Sequence, residues 1–244
     1  MSGPQGRTAR ERLVFPLDFP TLAEARRAGE LLAPSVGVLK VGLELFLREG
    51  PEAVRLGHAL GREVFLDLKL HDIPETVERA VASAGALGVR YLTVHAAGGA
   101  AMLTGAVAAA AQAPSPLTLL AVTMLTSLDA ADLAAQGIAG TAREHVLRLA
   151  RLAWDAGVRG FVASAAEARP LREALGREAL LVTPGIRPAG AAAGDQKRVA
   201  TPAQAIADGA DLLVVGRPIR DAADPLGAAS AVVAEIQRAL GSQG

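Results

Sequence analysis

The chain contains no cysteine and no asparagine, and its only lysines are Lys40, Lys69 and Lys197. Without cysteine, disulfides, thiolate metal sites and a cysteine nucleophile are excluded, which suits a reducing compartment and gives cytoplasmic as the expected location. An excess of charge of either sign is also missing: 25 basic side chains balance 25 acidic ones. A neutral chain lacks the field for generic nucleic-acid or anionic-membrane binding, so neither partner is expected. Residues 1–12 (MSGPQGRTARER) have no apolar core, do not read as a secretory signal, and are expected to form a flexible tail. Residues 96–128 carry no charge, yet they do not read as a membrane span. Gly98-Gly99 opens the stretch and Pro114-Ser115-Pro116 cuts it into an Ala-rich helix and a short apolar strand. The four histidines show no metal-ligand spacing, so no metal is expected.

What is present is an ordinary globular balance, 51% apolar and 20% charged over 244 residues, enough to build one large core. Short apolar runs at 13–18, 36–41, 64–69, 91–95, 117–123, 160–163, 180–183 and 212–216 read as strands. Amphipathic patterns at 22–33, 44–60, 74–87, 99–111, 141–156, 166–175, 202–208 and 226–240 read as the helices between them. Near-continuous apolar strands are buried on both faces, as in parallel sheets. The alternation, unbroken by any linker, predicts an α/β fold: a single-domain (β/α)8 TIM barrel over 13–244. A dinucleotide-binding sheet fits poorly, because the first strand runs into Leu17-Asp18-Phe19 with no glycine-rich turn.

In such a barrel, function sits where strands end. Those ends carry Asp18, Lys40, Asp67 with Lys69, His95, Thr126 in the run after strand five, Arg187, and Gly216 with Arg217. Two of the three lysines therefore stand at strand ends, in a chain that otherwise writes arginine. An ammonium can give up a proton where a guanidinium cannot, so the choice of lysine suggests that the proton matters. Asp67 and Lys69 are two apart on a strand and point to one side. With Asp72 three residues further on, and Lys40 reaching in from the neighbouring strand, they make an alternating set of two acids and two ammonium groups. At about 4 Å and an effective dielectric near 20, each opposite pair gains roughly 4 kcal/mol before desolvation. That favours charged forms throughout and leaves Lys69 a general acid and a cation able to stabilise a carbanion, not a Schiff-base amine.

The same residues have plainer readings. Asp72-Ile73-Pro74-Glu75 also looks like a helix start with Asp72 as N-cap. Asp67–Lys69 as a purely structural ion pair is disfavoured by the cost of burying charge in a strand. His71 and His95 read as orienting or packing residues. At the other end of the mouth, Gly216 permits close backbone approach and Arg217 offers a bidentate fork, the features of a barrel phosphate site. The loop at 184–198 reads either as a flap closing on that phosphate or as a plain surface loop.

Asp67-Leu68-Lys69-Leu70-His71-Asp72-Ile73-Pro74 resembles the signature of the orotidine 5′-phosphate decarboxylase family. Leu17-Asp18, Lys40-Val41-Gly42, Leu125-Thr126-Ser127, Thr183-Pro184-Gly185-Ile186-Arg187, Asp195-Gln196 and Val215-Gly216-Arg217 follow in family order, so the resemblance spans nearly the whole chain. It implies decarboxylation of orotidine 5′-monophosphate to UMP and CO2 in de novo pyrimidine biosynthesis, with no cofactor and no metal. Lys69 would protonate C6 and stabilise the carbanion, and Asp67 would face the substrate carboxylate. Lys40 would hold Asp67 and touch the ribose, which Asp18 would also bind. Thr126 and Pro184 would flank the pyrimidine, and Arg187, Gln196, Gly216 and Arg217 would hold the phosphate. The family's active site straddles a homodimer, so Asp72, Ile73 and Thr76 would be donated across the interface. The rivals are a Mg²⁺-dependent sugar-phosphate decarboxylase or aldolase of a related barrel, which carries an acid where this chain has Lys40, and a non-catalytic phosphometabolite-binding barrel.

Overall fold

A computed structural model describes residues 6–188 and 200–242. Eight parallel strands close into a barrel in sequence order: β1 (Leu13–Pro16), β2 (Val38–Gly42), β3 (Glu63–Leu70), β4 (Tyr91–His95), β5 (Thr118–Val122), β6 (Gly160–Val162), β7 (Leu180–Thr183) and β8 (Leu212–Val214). Each strand pairs with the next, and Leu13↔Leu213 and Val14↔Val214 complete the ring. This is the (β/α)8 TIM barrel expected from the alternation. β1 and β2 are buried at every residue, as strands with both faces covered must be.

The side chains split by parity into two cores. Val14, Val38, Phe65, Tyr91, Leu120, Leu180, Val182 and Leu212 fill the barrel interior. Their neighbours, among them Phe15, Leu39, Leu66, Leu92 and Phe161, face outward and pack against the helices. Those helices are α1 (Leu22–Leu32), α2 (Leu43–Glu49), α3 (Pro51–Ala59), α4 (Pro74–Ala86), α5 (Gly99–Ala111), α6 (Ala130–Ala135), α7 (Ala142–Asp155), α8 (Ala165–Leu175), α9 (Pro202–Ala207), α10 (Arg217–Arg220) and α11 (Pro225–Gly241). No helix among the described residues is long and apolar enough to cross a membrane.

Several boundaries differ from expectation for identifiable reasons. The helix expected over 44–60 is broken into α2 and α3, because Gly50 adopts φ +59° and Pro51 starts the second piece. The short helix α6 is set by a capping box between Asp129 and Asp132, and α10 follows directly on β8. The N-cap of α4 is Ile73, not Asp72; the Asp72 carboxylate instead accepts the Ile73 N–H at 2.6 Å.

The expected tail also ends earlier than residue 12. Arg10–Arg12 form a 3-10 turn. Arg7 reaches Glu63 and the Tyr91 hydroxyl at the base of the barrel. Arg12, buried, lies 3.9 Å from Asp211, which also holds Arg172 at 2.7 Å and the Leu181 N–H at 2.8 Å. Burial, reinforced by Glu63, pushes the Tyr91 hydroxyl up to about 12. The N-terminal end of the barrel is therefore closed by a charged network, the face where barrels place stability and not chemistry.

Candidate active site

At the opposite, C-terminal end, four charges alternate. Asp18 lies two residues beyond β1, Lys40 is on β2, and Asp67 and Lys69 are on β3. Lys40 Nζ donates to Asp18 Oδ1 at 3.1 Å and stands 3.7 Å from Asp67 Oδ2. Lys69 Nζ donates to both Asp67 oxygens, at 2.8 and 2.9 Å. Gly42 makes room for this chain of contacts: a Cβ there would stand 3.1 Å from both Asp18 Oδ1 and Lys40 Nζ.

The fourth member is thus Asp18, not Asp72 as the spacing suggested. Asp72 is exposed in the loop after β3, turned back onto its own backbone, and forms no ion pair with Lys69 within the chain. Ile73, 66% exposed, and Thr76 also face solvent from the same rim.

Lys69 takes an unusual backbone. Its φ is +50°, the one positive φ among the described non-glycine residues. The β3–β4 ladder pairs Phe65 with Tyr91 and Leu66 with Leu92, then resumes only at Leu70 and Val94. Asp67, Leu68 and Lys69 therefore bulge opposite Thr93 alone. The fully buried Thr93 hydroxyl accepts the Lys69 N–H at 2.8 Å and donates to Asp67 Oδ1 at 2.9 Å.

Burial alone would raise the Asp67 pKa. The charges of Lys40 and Lys69, with hydrogen bonds from Lys69 and Thr93, outweigh it and hold the carboxyl below its ordinary range. His95, at the end of β4, is also shifted down, but here burial is the largest cause: burial, then the nearby His71 and Lys69, lowers its pKa despite Asp67. The two imidazole rings lie 5.2 Å apart. No cluster of three or more potential metal ligands of the His, Asp or Glu type occurs among the described residues.

Two adjoining cavities open on this rim and share Lys40, Pro184 and Val214. The first, about 170 Å³, is walled by Lys40, Asp67, Lys69, Thr126 and Pro184 over an apolar floor that includes Phe65, Val122 and Val162. The second, about 250 Å³, is lined by Asp18, Lys40, Arg187, Gly216, Arg217 and Arg220. The Arg187 N–H donates to the Ala200 carbonyl at 2.9 Å, beside an isolated parallel bridge between Ile186 and Ala200. Asp195, Gln196 and Lys197 lie outside the described residues, and with them the phosphate contact expected of Gln196.

Sequence reasoning missed Thr93, the apolar floor and Arg220. Arg220 stands three residues after Arg217 on α10, and its guanidinium reaches the Asp18 carbonyl at 3.5 Å. Its spacing from Arg217 was a readable signal; a threonine inside a strand was not. Chemically, the first cavity offers an ammonium beside a carboxylate in apolar surroundings, suited to protonating and stabilising a carbanion. The second offers several arginines to an anion.

The sequence profile of the Orotidine 5'-phosphate decarboxylase / HUMPS family matches residues 11–232. A curated orotidine 5′-phosphate decarboxylase from Anaeromyxobacter sp. strain K is 59% identical over 226 residues, 93% of this chain and 98% of the relative. Another from Halorhodospira halophila is 54% identical over 228 residues, covering 93% and 97%. The crystal structure of orotidine 5′-phosphate decarboxylase from Lactobacillus acidophilus superposes with a TM-score of 0.81 at 36% identity, covering 92% of this chain and 98% of that one.

Proposed function

The chain belongs to the orotidine 5′-phosphate decarboxylase / HUMPS family, and from that premise we propose that it converts orotidine 5′-monophosphate to UMP and CO2 in pyrimidine biosynthesis, using Lys69 as proton donor and no cofactor. The observation that carries this reading is the unbroken run Asp18–Lys40–Asp67–Lys69 spanning two adjoining cavities, the one that holds Asp18 being lined by arginines.

The phosphate binds to Arg187, Gly216 and Arg217, with Gln196 from the segment that follows β7 in sequence. Asp18 and Lys40 hold the ribose. Thr126 and Pro184 flank the pyrimidine, which places the substrate carboxylate beside Asp67. When the C6–carboxylate bond breaks, its electron pair stays on C6 and CO2 departs. The Lys69 ammonium faces that pair, then passes a proton to C6, and the amine regains a proton from solvent. A cation about 4 Å from the developing charge, at an effective dielectric near 20, supplies roughly 4 kcal/mol, about a thousandfold in rate. Remote phosphate contacts add binding energy that serves the distant reaction centre. Crowding Asp67 against a second carboxylate adds ground-state strain in the same direction.

The site is completed in a homodimer by Asp72, Ile73 and Thr76 of the partner subunit; the exposure of this rim in the single chain supports that arrangement. The enzyme works in the cytoplasm, in keeping with the absence of cysteine. Lys40 separates this reading from a Mg²⁺-dependent sugar-phosphate enzyme: its ammonium lies between two carboxylates that would otherwise attract the metal. The test is loss of orotidine 5′-monophosphate absorbance with and without EDTA. Turnover is expected to survive chelation; no UMP, or activity abolished by EDTA, rejects the proposal.

A further inference from the structure

Thr93 is 0% exposed and sits on β4 on the same face as Tyr91, inside the barrel beneath the charged run. It is the single β4 residue facing the three-residue bulge of Asp67, Leu68 and Lys69. A bulge leaves backbone groups without ladder partners, and an unpartnered N–H inside a barrel is costly. The Thr93 hydroxyl takes up the Lys69 N–H and in the same arrangement gives its own proton to Asp67 Oδ1. One hydroxyl thus pins both the backbone that carries the ammonium and the carboxylate that orients it.

We propose that Thr93 is a positioning residue for decarboxylation, its hydroxyl holding Lys69 in the left-handed conformation and Asp67 in register with it. The inference rests on the reading of Lys69 as proton donor. A valine would fill the same space and suit the strand equally well, so the hydroxyl, not the shape, is what the proposal concerns. The charged and titratable groups around Asp67 are Lys40 on β2, Lys69 on β3 and His95 on β4, with Asp18 beyond β1 reaching it through Lys40 and His71 lying against His95.

The experiment compares Thr93→Val, Thr93→Ser and Lys69→Ala for kcat, KM and the pH profile. Thr93→Val is expected to lower kcat by about ten- to a hundredfold, the scale of a misplaced reacting group, with KM little changed. Asp67 loses a donor to its charged form, so the acid limb of kcat/KM moves to higher pH. Thr93→Ser keeps both hydrogen bonds and is expected to recover most of the rate and the original limb. Thr93→Ala serves if Thr93→Val does not fold, with the same expectation. The proposal is overturned if Lys69→Ala is inactive while Thr93→Val keeps the wild-type kcat and an unmoved limb, or if Thr93→Ser is as impaired as Thr93→Val. A Lys69→Ala enzyme that still turns over overturns the proton-donor reading, and the Thr93 assignment falls with it.

Discussion

Replacing Lys69 by glycine and, separately, by alanine separates what the residue does for the reaction from what its conformation does to the fold. The Lys69 backbone sits at φ +50°, where a side chain costs about 1–2 kcal/mol and glycine costs almost nothing. Alanine retains that strain; glycine releases it, less the roughly 0.4–1 kcal/mol of extra unfolded-chain entropy that glycine brings. The Lys69 side chain is a third exposed (32%), so its ion pair with Asp67 adds little to stability, and both variants lose it equally. Taking the middle of each range, Lys69→Gly is therefore expected to be the more stable of the two by about 0.8 kcal/mol, or roughly 2–3 °C in Tm for a chain of this size. Activity behaves differently. Both variants lose the roughly 4 kcal/mol of charge stabilisation, about a thousandfold in rate, and proton delivery worth about a hundredfold or more. Calorimetry of both proteins beside the absorbance assay reads the two effects independently. A Lys69→Ala protein as stable as Lys69→Gly would refute the strain argument, and either variant within about a hundredfold of wild type would refute the chemical one.

Three further outcomes follow from the geometry. Arg217→Ala should raise KM by about ten- to a hundredfold, the worth of a hydrogen bond to a charged group, with a smaller effect on kcat; an unchanged KM would remove Arg217 from the phosphate site. Asp211→Asn breaks the buried contacts with Arg172 and Arg12 at the barrel base and should cost about 3–5 kcal/mol, a Tm loss of roughly 10 °C, without altering kcat at low temperature; a Tm within error of wild type would contradict this. Asp67, its pKa depressed in the fold, contributes stability that is present above the unfolded carboxylate value of about 3.9 and is lost as pH falls through the lower folded one. The urea-unfolding difference between wild type and Asp67→Asn should therefore shrink on acidification, and a difference constant from neutral pH to pH ~3 would argue against it.

The barrel was legible because its strands are buried on both faces and its helices on one, so the two periodicities alternate visibly along the chain. The rim residues were legible for a related reason: charge at the end of an apolar strand has few structural uses. What spacing could not decide was which acid completes the run. Asp18 and Asp72 both follow strand ends, and only the closure of β1 beside β2 brings Asp18 to Lys40. The left-handed Lys69 was hidden because nothing in its side chain requires that φ; the bulge and Thr93 impose it. Gly50-Pro51 and the Asp129–Asp132 box, by contrast, were written in the chain and are the ordinary marks of a helix boundary.

Lys40 borders both cavities. On the proposed reading, grip on the ribose and orientation of the reacting carboxylate share this one side chain as a party wall, so a replacement there is expected to move KM and kcat together.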